Sequence, residues 1–563
     1  MYASPRTARI LTFATVAAAG LLHFTCSKNE APAKAAVPED FARLVPADAA
    51  MFFYIPNIDN FQTNAKKLVG AFDRRKANEM DLAVEIAEDF GCAPELIQST
   101  GPLAAGFSPA GGAGGEMSDV TIAEFNNVPE LFKNQDKDKS KHTVSNGRFA
   151  AYSRTKELAA PGAAAAFHPL TQNLTSDRVP VGDFIFRADL KQIIASYGPL
   201  IDGFFNNITD NPAMAGPAAG MIGPMTAGVK SFTKELESVD VAGQMRGAMA
   251  SIQFQVKAGS YTSTAATSAA KTDLLELMKY LPPSHAIRGA MTLNFQDIAD
   301  WFQPMLEIGY SQFPEKLRKE LIQYMKRAQE ANRLLGDSLA VSMQFQKTGM
   351  DAVYIIPCDD ADKFAIDYFK AINSSPEAAL FYTSEKLADV QISGTTVRGM
   401  KYQIHMDKFI EMMKLSPEES ASMKNAMQMN PMVDAMGKGM EVRIAGFKKY
   451  CMITIGGISV VEEILKNAQT GGTAPHPEIS RLHKMTSGSR GYFFSIDFRG
   501  AMGGIFEMLK SSSPMFNDTL PPIPGGEPVM FTFGGYSKNN QWRGELSVDY
   551  AELGKLFQAT TKR

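Results

Sequence analysis

Histidine, cysteine and tryptophan are scarce in this chain, at 7, 4 and 2 of 563 residues, and neither sign of charge is in excess. Each shortage excludes something. The histidines (His23, His142, His168, His285, His405, His476 and His483) form no HExxH or HxH pair, so the sequence spells out no histidine-based metal site. The cysteines, Cys26, Cys92, Cys358 and Cys451, contain no CxxC pair and no zinc spacing. With Lys+Arg at 57 and Asp+Glu at 60 the net charge is −3, and no basic stripe is present to neutralise phosphates; nucleic acid is not an expected partner. No GxSxG elbow occurs. The run Gly111–Gly115 has no Lys-Ser/Thr after it, so it reads as a hairpin turn and not as a phosphate cradle. No cofactor, metal or catalytic residue is expected.

Long apolar runs are equally rare. The one extended run, Ile10–Leu22, has 13 residues, too few for a bilayer that needs about 20, but suited to the core of a signal peptide. Arg6 and Arg9 precede it. Cys26 closes the segment as LLHFTC, and the polar, Ala/Pro-rich stretch SKNEAPAKAAVPED follows. This order resembles a bacterial lipoprotein signal, in which the cysteine becomes the lipidated first residue. His23 and Thr25 stand where that pattern favours Leu and a small residue. Residues 1–26 are therefore read as a signal peptide, Cys26 as the lipidation site and 27–40 as a flexible tether.

What the chain does have is one local pattern used repeatedly. An alternating apolar strand runs into Asn or Asp, an apolar residue follows, and helical spacing begins. The switch residues are Asn57, Asn127, Asp189, Asn294, Asp360, Asp497 and Asp549. Asn and Asp are disfavoured in strands but accept hydrogen bonds from the free N–H groups of a helix's first turn, so one side chain ends the period of 2 and starts the period of 3.6. Capping accounts for these acids, Asp359, Asp360 and Asp362 included, without a calcium site.

The pattern also recurs in order. Pro46 and Pro282, and Leu103 and Leu339, head matching segments 236 residues apart. Hairpin–helix units follow in the same sequence in both halves. The expected fold is α+β, a duplicated module of largely antiparallel sheets with helices packed on one face. The first module is placed at 41–280 and the second at 281–563, with a Met-rich insertion at about 380–440.

The "PAD" opening at Pro46–Asp48, the strand–Asn/Asp–helix step and the hairpin–helix order together resemble an exported bacterial domain-of-unknown-function family of planctomycete and cyanobacterial type. The resemblance implies an envelope location and this fold; it supplies no chemistry.

Two segments depart from ordinary composition. Ten methionines lie between Met400 and Met440; core or helix packing is their first reading, with a candidate apolar groove marked by Met412, Met413, Met423, Met427, Met432, Met436 and Met440, or Cu(I) binding by thioethers, as the alternatives. Residues 211–229 are apolar yet rich in Gly and Pro, which resists a regular helix. The expectation is a non-enzymatic cell-envelope lipoprotein, acting by binding or as a structural component. Its partners would be the membrane through its N-terminal lipid, envelope proteins or a hydrophobic ligand. The alternatives are a carrier of a hydrophobic ligand and an unrecognised envelope hydrolase. A Cys358–Cys451 bridge is left open.

Overall fold

Alternation within one short strand shows how the chain is layered. In Met51–Ile55, Phe53 and Ile55 join a core with Phe61, Leu68 and Ile86, while Phe52 and Tyr54 face the other way toward Phe41, Val45 and Phe149. A strand apolar on both faces must be covered on both, and here it is. The computed structural model describes residues 37–109, 118–135, 139, 142–154, 158, 169–171, 183–209, 234–246, 249–258, 272–293, 315–347, 349–373, 382–412, 417–418, 420–421, 424, 437, 439–486, 490–512, 520–538 and 541–561.

The chain forms two compact units. The described residues of the first fall within 37–211, 226–264 and 537–563, and those of the second within 265–536. The first unit holds β1 (Met51–Ile55), β2 (Leu103–Ser108), β3 (Ser118–Glu124), β4 (Thr143–Asn146), β5 (Phe149–Tyr152), β6 (Phe184–Asp189), β7 (Leu236–Arg246) and β8 (Met249–Ala258). The C-terminal strand Gln541–Asp549 pairs with β8. All pairs are antiparallel, in the order β4-β5-β3-β2-β1-β6-β7-β8-C-terminal strand. Helices Ile58–Phe72, Leu82–Phe90 and Val128–Asn134 cover the Phe53 face. The short helix Glu39–Ala42 and the residues after it cover the Phe52 face, where Phe41 meets Tyr54 and Phe149 edge-on at 5.6 and 5.3 Å.

The second unit holds β9 (Ile287–Thr292), β10 (Ser338–Gln346), β11 (Gly349–Pro357), β12 (Tyr382–Ile392), β13 (Thr395–Ile404), β14 (Met440–Phe447), β15 (Tyr450–Ile455), β16 (Arg490–Asp497) and β17 (Met530–Lys538). Its antiparallel order is β12-β13-β14-β15-β11-β10-β9-β16. β17 runs beside β16, where the Phe498 N–H donates to the Val529 carbonyl at 2.9 Å and the Phe494 and Phe533 rings stack at 5.1 Å. The fold is α+β. The internal order β4-β5-β3-β2-β1-β6 of the first unit coincides with β14-β15-β11-β10-β9-β16 of the second, and the hairpin β12–β13 adds to the edge at β14.

Two expectations shift. The division expected at 280/281 moves, because Leu274, Leu277 and Met278 pack with Ala290 and Ala340 in the second core, while Tyr550 after the C-terminal strand joins the first. In the second unit helices lie on both faces. Glu315–Asn332 and Ala361–Ile372 pack near Ile444 and Cys451, while Ile458–Thr470 and Pro477–Thr486 pack on the Met452 side. The reason is again a doubly apolar strand, for in Tyr450–Ile455 successive residues feed opposite cores.

Helix starts follow the switch residues closely. Asn57, Asn127, Asp189 and Asp360 accept from the backbone N–H three residues on, at 2.8, 3.1, 2.9 and 2.9 Å. Asp549 accepts from Ala551 and Glu552, both at 3.0 Å. Asp497 differs: its carboxylate accepts from the Val529 N–H at 3.2 Å, tying down the start of β17's strand instead of its own helix. Asn294 lies outside the described residues. Asp73, Asp81 and Asp273 cap further helices in the same way.

Glycine recurs opposite phenylalanine across strand pairs. Gly243 faces Phe184, and Gly289 faces Phe494. In each case the ring lies where a β-carbon would stand, so the pair fills space with one aromatic and tolerates no second side chain.

Candidate functional site

The polar residues of greatest interest lie in rows across the sheets, on faces otherwise apolar. In the first unit Arg187 on β6 is the register partner of Phe52 on β1 and of Asp240 on β7. Its Nε donates to Asp240 Oδ1 at 2.6 Å, and Nη1 donates to the Leu170 carbonyl at 3.2 Å. Both side chains are buried, so each charge is balanced where water cannot reach it. Two other buried acids of this unit are likewise paired, Glu124 with Arg148 at 3.0 Å and Asp89 with Arg154.

The corresponding row of the second unit reads differently. Arg288 on β9 is the register partner of Ser342 on β10 and Ser495 on β16. Ser342 and Ser495 are buried. The Ser342 hydroxyl lies 2.9 Å from His285 Nδ1, and Ser495 Oγ donates to the Arg288 carbonyl at 3.4 Å. Burial alone lowers the pKa of Arg288, with no acid acting on it. Among the described residues no carboxylate pairs with its guanidinium. Farther along the face, Arg443 on β14 stands opposite Thr454 on β15. Arg443 Nη2 donates to Glu441 at 2.8 Å, while its Nε and Nη1 and the Thr454 hydroxyl are buried without a hydrogen-bond partner.

The His285–Ser342 contact has the outward form of a base and a nucleophile. Its surroundings oppose that chemistry. Burial, and after it the positive charge of Arg288, hold His285 down to about 4, far below a general base poised near neutrality. Ser342 is wholly buried in mid-strand. Among the described residues, no group of three or more His, Cys, Asp and Glu side chains could hold a metal ion.

The first unit also has an apolar cavity of about 30 Å³, lined by Phe53, Ile55, Phe61, Leu82, Ile86 and Leu103. Pockets for drug-sized ligands run to roughly 300–1,000 Å³. This one has room for a water or a methyl-sized group and none for a lipid.

Of the residues singled out in the sequence, Cys26, Met413, Met423, Met427, Met432 and Met436 lie outside the described residues, as does all of 211–229. Met412 ends the helix Met406–Met412, and Met440 opens β14 opposite Tyr402. Met400 is buried with Tyr402 against Tyr368, Phe369 and Tyr382, so at this end of the segment methionine serves as packing. The structure adds Arg288, Ser342, Ser495 and Arg443, which sequence reasoning missed, and gives His285, read there as an isolated histidine, its contact with Ser342. The signal for one of them was present: Arg288 stands at an inward position of the strand AIRGAMT, between Ala286 and Ala290. No protein family, curated protein or solved structure matches this chain.

Proposed function

We propose that this chain is an exported, lipid-tethered protein of the bacterial cell envelope that acts by binding or as a structural component and not by catalysis. The observation supporting this is the order of its first 41 residues. Arg6 and Arg9, the apolar run Ile10–Leu22, Cys26 and a polar stretch lead to Phe41, the first buried side chain among the described residues. Acyl chains on Cys26 would contribute about 0.8 kcal/mol per buried CH₂, so two chains hold the protein stably at a membrane surface. Among the described residues no helix is long and apolar enough to cross a membrane. The suppressed basicity of His285 speaks against the His285–Ser342 contact serving as a hydrolytic pair.

We also read the two units as copies of one module, supported by their coincident strand order and by the common offset of Pro46/Pro282 and Leu103/Leu339. A superposition of β1–β6 on β9–β11 and β14–β16 that reversed handedness would overturn that reading.

The test of location is fractionation with radiolabelled palmitate in a bacterial host. Wild type is expected in the membrane fraction carrying label, and Cys26→Ser in the soluble fraction without it. Unlabelled protein retaining its leader in the cytosol would overturn the proposal.

A further inference from the structure

The geometry points to a binding site for a small monocarboxylate at Arg288 in the second unit, bounded by Ser342, Ser495 and Thr532. This goes beyond the envelope proposal and does not depend on export.

The argument starts from what the two units do with the same row. In the first, a buried arginine on β6 meets a carboxylate on the next strand, Asp240 of β7, at 2.6 Å. In the second, the arginine stands one strand over, on β9, and the β6 position is taken by Ser495. The strand beyond it, β17, offers Thr532. A β-carbon at Gly534 would lie 3.1 Å from the Phe493 β-carbon, so Gly534 and Phe493 share a face. Thr532, two residues away, therefore shares the face of Ser495 and Arg288. Thr532 is buried and its hydroxyl has no hydrogen-bond partner. Among the described residues the row thus has a half-buried cation with no anion beside it and a buried hydroxyl with no partner, where its counterpart has a completed, buried ion pair.

A buried hydroxyl left unmet is costly, Arg288 is half-buried and so reachable from solvent, and guanidinium and hydroxyl donors together suit one acceptor, an oxyanion. Two features select a monocarboxylate. The group that completes the matching row is itself a carboxylate, on a side chain of one methylene. The neighbouring row on the same face is Phe493, Ala290 and Ala340, apolar and buried, suited to a methyl or short alkyl group and hostile to the further charges of sulfate or phosphate. His285 beside the site is kept neutral and competes with no anion for Arg288.

The experiment is thermal unfolding and calorimetric titration of the full chain with sodium acetate, against sodium chloride, sulfate and phosphate at matched ionic strength. Acetate is expected to raise the unfolding midpoint saturably, as a ligand of the folded state does. Arg288→Met is expected to weaken acetate roughly 10- to 100-fold, the loss of a charged hydrogen-bond partner. Thr532→Asp supplies an internal carboxylate in place of the ligand. It is expected to raise the midpoint without acetate and to abolish the acetate response, and it keeps the test decisive should Arg288→Met fail to fold. The assignment is overturned by any of three results: no acetate response in wild type, an equal response to sulfate or phosphate, or an acetate response that survives Thr532→Asp.

Discussion

Arg187 Nε and Asp240 Oδ1 lie 2.6 Å apart on neighbouring strands, both side chains buried. Such a pair is held together more by the cost of breaking it than by the gain of forming it. Removing one partner from a buried ion pair typically destabilises by about 3–5 kcal/mol, whereas replacing both with apolar residues can be neutral. Asp240→Asn should therefore shift the urea midpoint of unfolding by that order. The double variant Arg187→Met/Asp240→Leu should recover most of the loss. Equal losses in the single and double variants would contradict this account of the pair.

The neutral imidazole of His285 makes stability depend on pH. Its pKa falls from 6.5 in the unfolded chain to about 4 in the fold, through burial first and Arg288 second. Its contribution is fully present above pH 6.5. Between pH 6.5 and about 4 the unfolded chain takes up a proton that the folded one resists, and stability is lost as pH falls, by up to about 3 kcal/mol. His285→Asn should flatten this slope relative to wild type in denaturant titrations at several pH values. Parallel curves would show that His285 is not the group responsible.

Cys358 and Cys451 lie in one cluster at the end of the β11–β15 pair, where Ile356 pairs with Cys451, and each thiol shifts the ionisation of the other. The hydrogen bond with Cys358 and, after it, burial raise Cys451, so its thiol is protonated, while Cys358 is the more exposed of the two. In an oxidising envelope a disulfide-carrying oxidase would accept two electrons and two protons from this pair, leaving a bridge. If the chain is exported as proposed, alkylation of the denatured, unreduced protein should then label Cys92 alone, with the intact mass lower by two hydrogens. Labelling of all three would argue for a reducing compartment.

Gly243 and Gly289 are predicted to be intolerant of side chains despite lying in strand interiors, where glycine is ordinarily a weakness. Their facing rings, Phe184 and Phe494, occupy the space a β-carbon needs. Gly243→Val should cost about 1–3 kcal/mol by overpacking, and pairing it with Phe184→Ala should relieve part of the strain. Chemical denaturation of the three variants measures this directly; a stabilised Gly243→Val would refute the packing argument.

The sequence disclosed much of the fold because its signals are short-range. Asn57, Asn127, Asp189, Asp360 and Asp549 each switch strand to helix through bonds spanning two or three residues, and such chemistry can be read locally. Asp497 shows the limit: the same residue type at the same step bonds instead to Val529, 32 residues on. The polar row was illegible for the same reason. His285 and Ser342 are 57 residues apart, and Arg288 acquires its meaning only beside Ser495 and Thr532. The unit boundary moved because the terminal strand pairs with β8 nearly 300 residues upstream, a contact that periodicity does not encode.

Native mass spectrometry of the protein extracted from the membrane of a bacterial host tests the central claim most directly. The account predicts a chain beginning at Cys26 and bearing diacylglycerol with an additional acyl group. An unmodified chain that keeps residues 1–25, or one cut elsewhere with Cys26 bare, would contradict it.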